Sequence, residues 1–325
     1  MVGEQRAGRE RSADNGFRAV TPEMAENIDT LAKVSAATGI GDMRRHLSLT
    51  GRWWLVSVPM LLFLGIFFIY PTILILERAF SSFNPPEIGG LDNFRWFLDG
   101  DANRTILLRT FVVAGSCTLI TCVIAFPYTY LMTIAGPRSR TAMMGLLLVS
   151  MFFGILLRNF AWVVILQMQG PLNDLLVWFG FARVRFLGTA VAVLMGMTHI
   201  LFPFMALPLF AVLRGIDHRL VLAARSLGAT PARAFWQVYI PLAMPGIFAG
   251  SLLVFVQALG FYITPAVLGS PRQSLMSQLI YAQFQNNAAF GRSGAMALVL
   301  LAMALVFVFL ASALQRRNRA YGTLR

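Results

Sequence analysis

Side chains that could perform chemistry are scarce in this chain of 325 residues. After Asp101 the only acidic residues are Asp174 and Asp217. Cys117 and Cys122 lie five positions apart on different faces of one apolar segment, and no second thiol pair accompanies them. Three histidines are scattered without a partner at ligand spacing: His46, His199 and His218. These residue types and spacings predict no catalytic residue, no metal site and no cofactor bound by this chain.

A phosphate-binding loop of the kind that holds ATP is also excluded by the sequence. Lys33 is the only lysine, and Ala32 precedes it. A phosphate-cradling loop needs Gly-Lys followed by Ser or Thr, so the chain lacks that motif. We therefore predict that the chain is not an enzyme and does not hydrolyse ATP itself.

The elements around these residues are strongly apolar. The chain is 57% hydrophobic and 13% charged, and its mean hydropathy is +0.68. A soluble domain is about 45–50% apolar and about 25% charged. Six runs have the roughly 20 residues that a helix needs to cross a bilayer: 53–76, 110–132, 142–167, 187–212, 246–268 and 295–314. We predict an all-α integral membrane protein whose first fifty residues are not a signal peptide, because they contain no apolar run.

Arginine positions predict the orientation of these spans, because cytosolic links carry an excess of basic residues. The basic residues lie before the first span, after the second, after the fourth and after the sixth: Arg44, Arg45, Arg52, Arg138, Arg140, Arg214, Arg219, Arg225, Arg233, Arg316, Arg317, Arg319 and Arg325. Both termini are therefore predicted to be cytosolic, with a flexible tail at 1–52 and a basic tail at 315–325.

The net charge of +13 also has to be explained. A basic balance can mark nucleic-acid binding. Here the excess flanks the spans, where topology and contact with anionic lipid headgroups account for it. We predict membrane lipid and not nucleic acid as the partner of these charges.

A polar helix-turn-helix is predicted between the fourth and fifth spans. Asp217 is a suitable N-cap for its first helix, and Gly228 can adopt the left-handed conformation that ends it. Thr230 can cap the second helix with Pro231 at its first position, and Pro241 is expected to stop it. A surface loop without a partner would need neither both caps nor both helices, so we predict a docking element on the cytosolic side.

The spacing of this segment resembles the cytoplasmic loop of ABC-importer permeases, which reads Glu-Ala-Ala, three residues, Gly, nine residues, an apolar residue, any residue, Leu and Pro. The positions that match are Ala223, Ala224, Gly228, Val238 and Pro241. Two positions depart from the pattern, since Leu222 replaces the acidic residue and Ile240 replaces Leu.

Three further segments resemble the spermidine/putrescine branch of the binding-protein-dependent permeases. Residues 157–162 and 170–173 match its Arg, two residues, Ala-Trp, then Gly, two residues, Asn pattern. Residues 201–209 contain its Pro-Phe-Met sequence, and 245–269 match the segment after the loop. The resemblance extends over residues 53–314.

This resemblance implies a type I ABC importer permease with six transmembrane helices and a coupling loop at 214–245. Two permeases, non-identical in this branch, would form the pathway, two ATPase subunits would use ATP and Mg, and an external binding protein would deliver a small polar, polyamine-like solute. The bacterial inner membrane is the expected location. The expected ATPase-coupling residues are Leu222, Ala223, Ala224, Arg225, Gly228, Val238, Ile240 and Pro241.

Arg158 is the sole charge placed well inside an apolar run. Two roles are open to it: bonding an ion or carbonyl groups between helices, or acting as a pathway gate or a contact to an anionic solute group. Gly260 and Pro265 should interrupt the fifth span as a packing kink or a pathway-lining bend. The expected pathway residues are Arg158, Trp162, Phe204, Gly260, Phe261, Tyr262 and Pro265.

The last outer link, 271–294, carries apolar residues at helical spacing and predicts an amphipathic helix that either lies on the outer surface or faces the binding protein. For the chain as a whole, the alternative function is a secondary transporter or channel not driven by ATP. Coupling to protons or sodium usually uses carboxylates within the membrane, and the predicted spans after the first link contain none.

Overall fold

The computed structural model describes Thr30, residues 53–80 and residues 90–322. The predicted tail at 1–52 therefore lies outside the described residues apart from Thr30, and the side chains of the C-terminal tail lie outside them too. The chain divides into two compact units, residues 1–72 and residues 73–325.

In the first unit, α1 (Trp53–Leu64) is followed by a π turn at Gly65–Ile69 and then by α2 (Tyr70–Phe80), which the unit boundary crosses. The large apolar side chains of this unit are exposed, among them Leu61, Phe63 and Phe67. A helix that is apolar on all sides and exposed in this way is suited to lipid.

The second unit contains twelve further α-helices within the described residues. They are α3 (Asp92–Asp99), α4 (Asp101–Ile134), α5 (Pro137–Phe152), α6 (Ile155–Leu166), α7 (Pro171–Trp178), α8 (Ala190–Leu213), α9 (Arg219–Ser226), α10 (Pro231–Ala234), α11 (Ile240–Leu259), α12 (Ile263–Leu268), α13 (Met276–Gln285) and α14 (Phe290–Gly322). A π turn at Phe235–Tyr239 joins α10 to α11, and a 3-10 turn at Pro271–Gln273 precedes α13.

Six described segments are long and apolar enough to cross a membrane: Ser57–Phe80, Asp101–Ile134, Ile155–Trp178, Ala190–Leu213, Pro231–Leu259 and Phe290–Ala313. The predicted number of spans is therefore confirmed. The second span is longer than predicted, with 34 residues in α4. At 1.5 Å per residue α4 is about 50 Å long, so it extends well past a hydrocarbon core of about 30 Å.

The prediction of one continuous third span at 142–167 is wrong. Phe153 and Gly154 have extended backbones and separate α5 from α6. Glycine disfavours the helix, while the flanking residues keep the hydropathy high across the break. Hydropathy alone therefore hid the interruption, and the spanning segment runs from Ile155 through α7 instead.

The core of the second unit lies where α4, α8 and α11 pack together. Buried side chains from all three helices meet there: Ala114, Cys117, Met197, Leu201, Met205, Val254 and Ala258. Cys117 lies with its Sγ 3.8 Å from the Thr198 hydroxyl. This core fixes the relative positions of the three central helices.

Two glycines allow α11 to approach α8 closely. A Cβ added at Gly250 would lie 2.6 Å from Sδ of Met205 and 3.0 Å from its carbonyl oxygen. A Cβ at Gly246 would lie 2.8 Å from Cβ of Val212. Small residues four apart let the backbones of membrane helices approach, so van der Waals contact replaces the hydrophobic driving force that lipid removes.

The helix predicted in the last outer link forms as α13, but it does not simply lie on a surface. Met276 is fully buried, and it clusters with Phe97 of α3 and Met296 of α14. The backbone N–H of Met276 also donates to the Thr110 hydroxyl of α4 at 2.9 Å. The apolar face of α13 is therefore held by protein.

We expect Gly250→Ala to lower stability, because the added methyl group would meet the backbone of Met205. Overpacking of this kind typically costs about 1–3 kcal/mol. The measurement is the thermal unfolding midpoint of the purified chain in detergent. Gly115→Ala on α4 is the matched control, since a Cβ there has no atom within 4 Å. A midpoint for Gly250→Ala equal to that of Gly115→Ala would contradict the close-packing argument.

Candidate coupling and pathway sites

Helix α9 carries the Ala-Ala pair and is bounded by the local signals that its sequence predicts. The N-cap position is His218, one residue after the predicted Asp217, and Oδ1 of Asp217 accepts the backbone N–H of Arg219 at 2.9 Å. At the other end Gly228 has a φ of 89°. The N–H of Gly228 donates to the Arg225 carbonyl at 3.0 Å, and that of Ala229 donates to the Ala224 carbonyl at 3.1 Å. This pair of bonds is a Schellman motif, which gives the last carbonyls of α9 their partners.

The second short helix also begins as predicted. The Thr230 hydroxyl accepts the N–H of Arg233 at 3.3 Å, and Pro231 occupies the first helical position. The prediction that Pro241 stops this helix is wrong, because α10 runs through the π turn into α11. The N–H of Ile240 bonds the carbonyl of Phe235, five residues back.

The π turn explains why Pro241 is tolerated. In an α-helix proline lacks an N–H for the carbonyl four residues earlier, and its ring clashes with that carbonyl. The wider pairing at 235–240 opens the turn just before Pro241. As a result the fifth span is one continuous helix in this region, and it contains Val238, Ile240 and Pro241.

An aromatic platform, made of Phe126, Tyr130, Phe235 and Tyr239, supports α9. The rings of Tyr130 and Tyr239 are 5.3 Å apart, and those of Phe126 and Phe235 are 6.0 Å apart. Val221 of α9 packs against the same cluster. The sequence motifs do not indicate this platform, although the closely spaced Phe235 and Tyr239 beside the predicted docking element are a usable signal.

The other face of α9 is exposed. Leu222 is 57% exposed and Leu227 is 89% exposed, and Ala223 and Arg225 are exposed as well. Val221 and Ala224 are half-buried. α9 is therefore fixed on one side and presents apolar groups and arginine on the other.

Arg158 and Trp162 lie on α6. Nε and Nη1 of Arg158 are buried and have no hydrogen-bond partner among the described residues. The carbonyl bonds proposed for Arg158 are therefore not made by these two atoms. The indole N–H of Trp162 donates to Nδ1 of His199 on α8 at 3.2 Å. Trp162 and His199 border an apolar cavity of about 650 Å³ between α4, α6 and α8.

The predicted interruption of the fifth span is present. α11 ends at Leu259, Gly260 to Tyr262 are not helical, and Pro265 is buried in the first turn of α12. The Ser277 hydroxyl of α13 donates to the carbonyl of Phe261 at 2.7 Å. The rings of Tyr262 and Tyr281 lie 4.8 Å apart. Protein contacts thus satisfy a carbonyl that the break exposes.

The structure brings only some of the expected pathway residues together. α6 and α12 both pack against α8, so Arg158, Trp162 and Pro265 lie on neighbouring helices. Phe204 and Phe261 pack instead against the central core. Helices α8 and α12 approach each other closely, since a Cβ at Gly196 would lie 2.8 Å from Cγ2 of Thr264.

The Gly170 to Asn173 motif has a structural role. A Cβ at Gly170 would lie 2.5 Å from the carbonyl oxygen of Val164, so only glycine fits there. Asn173 is fully buried, donates to the carbonyls of Gln167 and Val184 at 3.0 Å, and accepts the N–H of Val184 at 2.7 Å. Together they fold the link between α6 and α8.

These features define a polytopic membrane protein with an exposed helical segment at 214–245, the candidate coupling segment, and comparisons with known proteins identify its family. Residues 132–320 match the family described as binding-protein-dependent transport system inner membrane component, and the chain belongs to that family. It is similar to the spermidine/putrescine transport system permease protein PotB of Escherichia coli K12, at 30% identity over 254 residues, which are 76% of this chain and 92% of that protein. The PotB of Haemophilus influenzae is 33% identical over 208 residues, covering 63% and 73%.

Two solved structures have the same fold. The bacterial alginate ABC transporter aligns with a TM-score of 0.68 at 20% identity, covering 83% of this chain and 96% of the matched chain. The MetNI methionine transporter aligns with a TM-score of 0.51 at 17% identity, covering 68% and 96%. The predicted ABC importer permease architecture is confirmed. The chain is a multi-pass inner-membrane permease subunit, and the alternative of a transporter not driven by ATP has no support.

We expect Gly228→Val to disturb the coupling segment. A β-branched residue is strongly disfavoured at positive φ, at a cost of about 1–3 kcal/mol. The strain should redirect α10, lower solute-stimulated ATP hydrolysis and weaken retention of the ATPase, with membrane insertion unchanged. Gly180→Val is a matched control, because Gly180 has a φ of 85° in the link between α7 and α8 and both glycines have open space around them. Uptake at the wild-type level by Gly228→Val would refute the role of this turn.

Proposed function

We propose that this chain and a second, non-identical permease form the pathway for a polyamine or a related small polar solute delivered by an external binding protein. The similarity to the spermidine/putrescine permeases supports this solute class. The same branch supports a pair of different permeases. Both termini and the coupling segment would face the cytosol, in line with the arginines that flank the spans.

The observation that carries the proposal is the one-sided burial of α9. Its inner face rests on the aromatic platform, and its outer face presents Leu222 and Leu227 to solvent. Exposed apolar groups of this kind mark an interaction site. We assign this face to the ATPase subunit, which would bind ATP and Mg and contact Leu222, Ala223, Ala224, Arg225 and Gly228.

Movement of the ATPases would reach the spans through the same contacts. Val221 lies against the platform, and the π turn that carries Phe235 and Tyr239 continues into α11. Displacement of α9 would therefore act on α4 and α11 as packed bodies. Transport between inward-facing and outward-facing states needs such rigid-body motion between two stable packings.

The pathway assignment rests on the break at Gly260 to Tyr262 and on Arg158. Two guanidinium nitrogens of Arg158, Nε and Nη1, are buried without a hydrogen-bond partner and need an acceptor from outside the described chain. We assign that acceptor to a carboxylate of the second permease or, for a related solute other than a pure polyamine, to an anionic group of the solute. A fixed positive charge argues against a bare polycation as the only cargo.

The test is co-expression of this chain with candidate permease, ATPase and binding-protein subunits from the same organism, followed by reconstitution of the complex. We expect an ATPase and a different permease to co-purify with this chain, and ATP hydrolysis to rise when the binding protein carries spermidine or putrescine. Two copies of this chain without a related permease would overturn the heterodimer. Stimulation only by a sugar-loaded binding protein would overturn the solute class.

We expect Leu222→Glu to weaken ATPase binding, although it restores the residue usual in the family. If α9 docks here by apolar packing, the new carboxylate is desolvated without a partner, which costs several kcal/mol. The measurement is the amount of ATPase retained per permease after purification in detergent. Leu222→Gln is the control, because glutamine is polar and has nearly the shape of glutamate but carries no charge. Unchanged or improved retention with Glu would show that position 222 faces solvent or a basic group.

A further inference from the structure

A groove lies between the first turns of α5 and the end of α8, and it is separate from the exposed face of α9. Its volume is about 330 Å³. The residues that line it are Arg140, Thr141, Met144, Gly145, Leu148, Phe210 and Arg214. We call it the Arg140–Arg214 groove.

Two positive charges stand at this groove without a carboxylate partner. Nε of Arg140 donates to the Met132 carbonyl at 2.9 Å, and Nη2 donates to the Thr133 and Ala135 carbonyls at 3.0 and 3.2 Å. These bonds fix the guanidinium at the end of α4 but leave its net charge uncompensated. The ion pairs formed within the described residues involve neither Arg140 nor Arg214, and none of the lining residues is acidic.

The rest of the lining is apolar. Met144, Leu148 and Phe210 extend along α5 and α8 away from the arginines. Gly145 leaves open space, because a Cβ added there would have no atom within 4 Å. The groove thus combines a doubly basic end with an apolar end.

We propose that the Arg140–Arg214 groove binds an anionic phospholipid. The phosphate would lie between the two guanidinium groups, which suit phosphate oxygens, and an acyl chain would lie along Met144, Leu148 and Phe210. Basic pockets between membrane helices on the cytosolic side bind anionic headgroups. The inference rests on the proposed function only for the orientation that puts this groove in the cytosolic leaflet.

A free anion fits the groove less well. Inorganic phosphate would satisfy the arginines, but it would leave the apolar end exposed to water. A lipid occupies both ends at once. Because Arg214 follows the last residue of α8 and begins the segment that carries α9, a lipid bound here would link the ends of α4 and α8 beside the base of α9.

The experiment uses the complete complex in nanodiscs of equal parts phosphatidylglycerol and phosphatidylcholine, followed by detergent extraction and native mass spectrometry. We expect the wild-type complex to retain phosphatidylglycerol in preference to phosphatidylcholine. Arg214→Gln removes one charge, and Gly145→Leu fills the groove without changing charge. Arg214→Gln should lower retention about fivefold, the equivalent of about 1 kcal/mol for one basic residue near a membrane surface. Gly145→Leu should also lower retention, because its side chain occupies the space that the lipid needs.

Arg138→Gln is the matched control. It removes an arginine from the first turn of the same helix, but Arg138 does not line this groove. We expect it to retain phosphatidylglycerol like the wild type. Equal retention by all four proteins would overturn the proposal. So would displacement of the lipid by inorganic phosphate, which would indicate a site for a free anion, or loss of the ATPase from Arg214→Gln with lipid retention unchanged, which would indicate a protein contact.

The same preparations separate this inference from the proposed function. Hydrolysis stimulated by the loaded binding protein is measured in phosphatidylcholine alone and in the mixture. A complex that retains phosphatidylglycerol but shows no such stimulation in either lipid contradicts the proposed function and leaves the lipid site standing. Normal stimulation without lipid retention contradicts the lipid site alone.

Discussion

The close approach of α8 and α11 is the contact on which the rest of the molecule depends. Gly250 allows the backbone of α11 to lie against Met205, and Gly246 does the same at Val212. The segment with α9 is the chain that connects these two helices. Because both ends of the connection are held by one tight interface, α9 has a fixed base, which a docking element requires if force on it is to reach the membrane.

The breaks in the spans follow from a second constraint, that backbone polar groups within the membrane need partners inside the protein. Gly260 to Tyr262 interrupt α11 and α12, and Ser277 of α13 donates to a carbonyl within this stretch. Asn173 performs the same task for the link after α6, through three hydrogen bonds. Irregular backbone thus occurs where a polar side chain from a neighbouring segment is available to bond it.

Local signals in the sequence were sufficient where a few adjacent residues decide the structure. The turn at Gly228 and the cap at Thr230 are of this kind, since each depends on one side chain or one backbone angle. At the start of α9 the N-cap position falls on His218, one residue after the predicted Asp217. The number of spans also follows from composition. Pro241 was misjudged because its cost depends on the pairing of the preceding turn, which shifts from four residues to five.

Other features could not be read from neighbouring residues. The packing of α13 depends on Phe97 and Met296, which are distant in the sequence. The aromatic platform joins Tyr130 to Tyr239 across more than a hundred residues. For Arg158 the sequence could specify an intramembrane charge but not its surroundings, because those are decided by which helices pack beside α6.

The unbroken helix from Pro231 to Leu259 has a mechanical consequence. At 1.5 Å per residue it extends about 28 Å on the coupling side of Gly250 and about 14 Å on the other side, up to the break at Gly260. The contact with Met205 therefore divides this helix into two arms of unequal length. If α4, α8 and α11 tilt together as one packed body about this level, the two ends of the helix move in opposite directions, and the break moves about half as far as the end beside α9. The pathway would then narrow at one face of the membrane while it widens at the other, without bending of the helix itself.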